Sequence, residues 1–211
     1  MAIDEEAAQK KLKLADEATK KGKIFFSGER RGEEFNHGCD HIHGLLVDSY
    51  RLYAAGSFST STFLSITAIE ETAKLEIAIY RQEEQTAPVS NRYGDALFNH
   101  KSKHLIALQE VITIGDRLPK AISEQRVREL LDMAETGDLL YLRESALYID
   151  SLNGSFICPS ERVSQSASRE ILLLALEVWD DRLVGYSEHT YELNKGLMKI
   201  FEDVSSPIDR G

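Results

Sequence analysis

A chain of 211 residues with 42% apolar and 28% charged side chains can bury a core of its own without disulfides or metals, which excludes a disordered chain. Its formal charge of −10, from 35 acidic against 25 basic residues, excludes a broad electrostatic trap for phosphate backbones, so any contact with nucleic acid must be local. Cys39 and Cys158 stand in no paired spacing and no stretch approaches the roughly 18 apolar residues of a membrane span, so the sequence reads as a cytoplasmic protein with free thiols and no membrane partner.

The pattern is helical throughout, and Pro88, Pro119, Pro159 and Pro207 fall where it stops. Residues 4 to 21 predict a charged helix, and residues 23 to 36, with Gly28 and Gly32, a loop. A helix over 38 to 55 ends at Gly56, and Ser59 or Thr60 caps the next, which runs to about residue 83. Beyond a loop with Pro88 and Gly94, helices are expected over 95 to 114, 121 to 135 and 138 to 149. SLNGSFICPSE reads as a loop or short hairpin, and Ser164 or Ser166 opens one long final helix ending near Val204. The expectation is an all-α bundle in a single domain: an N-terminal helix and loop over 1–36, then a helical domain over 37–205.

Charge interrupts the apolar faces of three helices. On the helix after Ser59, Ile66, Ile69, Ala73, Ile77 and Tyr80 form one face and Leu64, Ala68, Leu75 and Ala78 the other, as in a helix central to its bundle. Glu71 falls on the second stripe, which makes it the expected buried carboxylate, while Glu70, Lys74 and Arg81 are placed on the polar strip beside it. Lys101 interrupts the stripe of Leu97, Leu105, Leu108 and Ile112, with His100 and His104 flanking it. Arg143 sits within the arc of Leu139, Leu142, Ala146 and Leu147, with Asp150 further along the same line. A lone buried ion costs several kcal/mol, so Glu71, Lys101, Arg143 and Asp150 are expected to satisfy one another. Such a cluster reads either as a register-fixing ion network or as a functional site.

The same residues carry a family resemblance. HGLLVDSYRLYAAGSFSTSTFLSITAIEETAKLEIAIY is similar to the AbiV pattern of two helices ending in AlEE-x-x-K, here Ala68, Ile69, Glu70, Glu71 and Lys74, with Ala73 where the family usually has glycine. HKSK at His100 to Lys103 resembles the HK-x-K element, RESALYID at Arg143 to Asp150 the R-x-x-ALYVD element, and NGSFICPSE the polar loop that follows. The resemblance covers residues 37 to 175. It implies a HEPN-like bundle and an abortive-infection protein that halts phage propagation through RNA or translation, and it belongs to a class whose members often dimerise and cleave RNA with Arg-x4–6-His. Arg30 or Arg31 to His37 and Arg182 to His189 meet that spacing, where chance alone supplies about one match. In the Arg143 element, Tyr148 stands where the histidine is needed.

If the protein is a metal-independent ribonuclease, Arg143 and Lys101 would stabilise phosphate charge, His100 or Glu71 would move protons, and Tyr148 and Asp150 complete the catalytic candidates. Glu70, Lys74, Lys103 and His104 are binding candidates, and the basic patch of His100, Lys101, Lys103 and His104 suits a phosphate. The alternatives are a non-catalytic module that senses or blocks a phage or host protein, and a helical protein with a metal at His37, Asp40 and His41, flanked by Cys39 and His43. No cofactor is expected. A homodimer is, because the central helix and Ile171, Leu174, Val178 and Leu183 offer more apolar surface than a small bundle covers.

Overall fold

A computed structural model describes residues 5–26, 28–89, 91–109, 116–152 and 155–206. Two long helices, α2 (Arg31–Ala54) and α3 (Phe58–Tyr80), form a hairpin whose turn is made by Gly56 at φ +78°. The loop before α2 is thus shorter than expected, and α2 takes in His37 along with Asp40 and His41, which the expected helix already held. Small residues let the pair approach closely. A Cβ at Gly38 would collide with Leu75, and Ser49 Oγ lies 2.6 Å from Ser65 Oγ and donates to the Ser61 carbonyl at 2.9 Å.

The second hairpin is α9 (Gln165–Leu183) and α10 (Glu188–Ser205). One continuous final helix was expected here. The apolar spacing does run on past residue 184, but Gly185 adopts φ +102° and Ser187 caps α10 by accepting from the Thr190 amide. Every residue from Ile171 to Trp179 is buried, so α9 lies at the centre of the bundle against α3, with α10 covering α2 and α9. Ile171, Leu174, Val178 and Leu183 are consequently covered within the protomer, and of the central-helix faces from which a dimer was also expected, Tyr80 is 53% exposed.

The remaining helices close the other side of α3. They are α1 (Glu5–Lys20), α4 (His100–Ala107), α5 (Arg117–Ile122), α6 (Glu124–Thr136), α7 (Asp138–Ser145) and α8 (Pro159–Arg162), with a two-stranded hairpin of β1 (Asp150–Leu152) and β2 (Ser155–Ile157). The helix expected over 95 to 114 is shorter: Asp95 caps a single turn over Ala96–Phe98, then Asn99 accepts from the Ser102 amide and starts α4 afresh at His100. Ile112 lies outside the described residues. Among the described residues no helix is long and apolar enough to cross a membrane.

Arg81, expected on the polar strip, is fully buried at the end of α3. Its five N–H donors are all used: on the carbonyls of Ala18, Lys21 and Lys23 at 2.8 to 2.9 Å and on both oxygens of Asp95 at 2.7 and 2.8 Å. Burial raises the Asp95 carboxyl, but the Arg81 bonds and the Lys23 and Leu97 amides outweigh it and hold the group below the usual range. Gly22, at φ +148°, is required because a Cβ would occupy the space of the guanidinium. This clamp ties the end of α1 and the approach to α4 onto α3.

Candidate functional site

Glu70 is the buried carboxylate of the molecule's central helix, with 2% of its side chain exposed. It stands four residues after Ile66 and seven before Ile77, on the apolar face they define, so α3 turns it inward. Opposite it, α4 presents His100, Lys103 and His104, whose i, i+3, i+4 spacing puts all three on one face. His100 Nδ1 lies 2.7 Å and Lys103 Nζ 2.8 Å from Oε2, and His104 Nε2 lies 3.0 Å from Oε1. From α7, Arg143 brings Nε to 3.3 Å of Oε1, off the line of a hydrogen bond, so this contact is an ion pair only.

Burial by itself would raise the Glu70 carboxyl. Hydrogen bonds from His104 and Lys103, together with the Lys103 charge, outweigh it and pull the group down to about 2. An ionised carboxylate only accepts, so His100 and His104 donate from the nitrogens that face it. His104 is fully buried and its Nδ1 has no partner among the described residues. His100 differs, because 40% of its side chain is exposed and Nε2 makes no hydrogen bond among the described residues. The Arg143 guanidinium lies 4.7 Å over the Phe63 ring with 15% of its side chain exposed, and none of its N–H groups donates a hydrogen bond among the described residues. The site therefore places an imidazole oriented by a carboxylate beside a guanidinium whose N–H groups make no hydrogen bond among the described residues.

The sequence candidates divide. Glu70, His100, Lys103, His104 and Arg143 come together. Glu71 points aside and pairs with Lys74 at 2.9 Å, joining the cluster only through Lys103 at 3.9 Å. The cause is register: Glu71 is one residue, or 100°, past the buried position. Lys101 is exposed, turned away from the inward face of His100, Lys103 and His104, because α4 begins at His100 behind the Asn99 cap rather than near residue 95. Tyr148 is 59% exposed in the turn after α7, and Asp150 pairs with Arg162 at 3.0 Å, since α7 ends at Ser145 and the line that carried both residues inward stops there. Phe63, which the sequence reading passed over, stands seven residues before Glu70 on the same face.

His37, Asp40 and His41 are exposed on α2, and Asp40 instead holds His189 Nε2 at 2.7 Å. Among the described residues no three His, Cys, Asp or Glu side chains converge as metal ligands. Arg182 is tied to Glu76 at 3.4 Å, Asp181 at 3.3 Å and the Ala107 carbonyl at 3.3 Å, so its spacing to His189 does not leave it open to a ligand.

The family model HEPN_AbiV, described as AbiV, matches residues 36–180. The chain belongs to the AbiV family. No curated protein and no solved structure matches it. The AbiV match contains Glu70, His100, Lys103, His104 and Arg143, and it stops before Arg182 and His189. Its all-α bundle fits the HEPN class, and the AbiV name places the chain among HEPN-type abortive-infection proteins.

Proposed function

We propose that this AbiV-family chain is an antiphage effector whose working site is the Glu70 cluster and whose target is RNA. The observation that carries the reading is His100, 40% exposed and held through Nδ1 by a buried carboxylate, next to a guanidinium that makes no hydrogen bond among the described residues. A carboxylate bonded to one imidazole nitrogen fixes the tautomer and makes the other a proton acceptor. On RNA, Nε2 takes the proton of a 2′-hydroxyl as that oxygen attacks phosphorus. The bond to the 5′-oxygen breaks, the proton passes to the leaving oxygen, and Arg143 stabilises the charge on the phosphoryl oxygens. Incubating the purified protein with total RNA, with and without chelator, tests this: fragments should form in both, and none should form with the His100→Ala variant. Intact RNA with wild-type protein would reject catalysis.

A contact function is favoured by a different observation. Leu147, Tyr148, Ile149 and Phe156 are 41 to 68% exposed where α7 meets the hairpin, a concentration of apolar surface that suits a protein partner. A second copy is the partner proposed for it. Light scattering at micromolar concentration should give the mass of a dimer, and Ile149→Asp with Phe156→Asp should give a monomer. A monomeric wild-type mass would reject it.

A further inference from the structure

Arg143 is held differently from the other covered arginines. Arg117, Arg126 and Arg169 each donate from Nε at 2.7 Å to a carboxylate or a carbonyl. Arg143 Nε, buried 3.3 Å from Glu70 Oε1, donates to nothing among the described residues, and neither does either Nη. Beyond that ion pair, what holds the group is Phe63, whose ring centroid lies 4.7 Å from Cζ. Arg117 also lies over a ring, Phe201 at 4.0 Å, but its donors are spent on Glu177 at 2.6 and 2.7 Å. The arrangement follows from two helix faces. On α3, Phe63 precedes Glu70 by two turns and is half-buried. On α7, Arg143 stands between the buried Leu139 and Ala146, so the stripe that packs α7 against α3 carries it to Phe63.

We infer that Phe63 is a positioning residue for Arg143, setting the guanidinium where its Nη groups meet the phosphate presented to His100. The inference rests on the RNA reading given above and adds what aims the cation. The face of a ring attracts a cation through its negative potential and has no lone pair to take up the N–H groups. A carboxylate in place of the ring would hold Arg143 as firmly and consume those donors, as Glu177 does for Arg117. A ring therefore suits an arginine whose hydrogen bonds are reserved for a ligand.

The test is a double-substitution cycle on the full-length protein, read by fluorescence anisotropy of a labelled 2′-fluoro RNA, which lacks the attacking hydroxyl and is not cut. Arg143→Met should weaken binding by about 10- to 100-fold, as the loss of charge-assisted hydrogen bonds does. Phe63→Leu keeps apolar bulk but loses the ring and should weaken it on the order of tenfold, whereas Phe63→Tyr keeps the ring face and should bind as the wild type does. In the Arg143→Met background Phe63→Leu should cost nothing further, because the ring acts through the cation. Melting temperatures establish that each protein is folded, and Phe63→Met takes the place of Phe63→Leu if the latter is not. Equal losses from Phe63→Leu with and without Arg143 would overturn the inference, since the ring would then act on its own account. Wild-type affinity in Phe63→Leu would also overturn it, and either result leaves the RNA reading standing. Failure of the wild type to bind RNA would overturn both.

Discussion

Arg81→Met should be among the most destabilising single substitutions in the protein. It removes a buried cation and leaves Asp95 and the carbonyls of Ala18, Lys21 and Lys23 without their donors. Breaking a buried pair in this way costs about 3–5 kcal/mol, because the surviving charge stays buried without a partner. For a domain of this size that corresponds to a fall of about 10 °C in melting temperature. Exposed pairs such as Arg51 with Asp48, 72% and 59% exposed, are worth far less, and Arg51→Met should change the melting temperature little. Thermal unfolding followed by circular dichroism compares the two. A fall of only about 2 °C for Arg81→Met would show that α1 and the segment before α4 are not held by the clamp.

Glu70→Gln should be nearly as damaging, and its cost should depend on pH. The substitution keeps the volume but leaves Arg143 without its anion and Lys103 with only Glu71 at 3.9 Å, whereas Glu71→Gln, at a side chain 24% exposed, loses only partly solvated pairs. The sign follows from the depressed carboxyl. A group pulled from 4.5 to about 2 stabilises the fold fully above its unfolded value, and that contribution is lost as pH falls from 4.5 towards 2. The gap in melting temperature between wild type and Glu70→Gln should therefore be wide at pH 7 and narrow steadily below about pH 4.5. Equal gaps at pH 7 and pH 3 would mean that Glu70 is not the ionised centre of the cluster.

How far these features were legible in the sequence depended on register. That α3 is central and that charge from three helices converges on it followed from apolar spacing alone. Which charges converge did not. The neighbours Glu70 and Glu71 differ by 100° on the helix, and the family signature includes both, so the resemblance could not separate them. The spacing of Glu70 from Ile66 and Ile77 was the signal that could have done so. On α4 the error came from the start of the helix. Reading through Asp95 and Asn99 as helix interior put Lys101 inside, whereas Asn99 is a cap and the inward face is His100, Lys103 and His104. Arg81 was hidden for another reason: its partners are carbonyls up to 63 residues away and an aspartate beyond a loop, and no local pattern marks such contacts. The break in the final helix was marked by Gly185 and Ser187, which the continuing apolar period masked.

The central claim is that the Glu70 cluster works through His100 and Arg143 rather than merely holding three helices in register. It is tested most directly by phage plating on cells producing wild type, His100→Ala or Arg143→Met, with soluble level and melting temperature measured on the same variants. His100→Ala alters a half-exposed side chain bonded through one nitrogen, so the fold should tolerate it, and Arg143→Met keeps an apolar stem over Phe63. The account predicts that both variants accumulate folded protein while phage plate as they do on cells without the protein. Full protection by folded His100→Ala and Arg143→Met would contradict it.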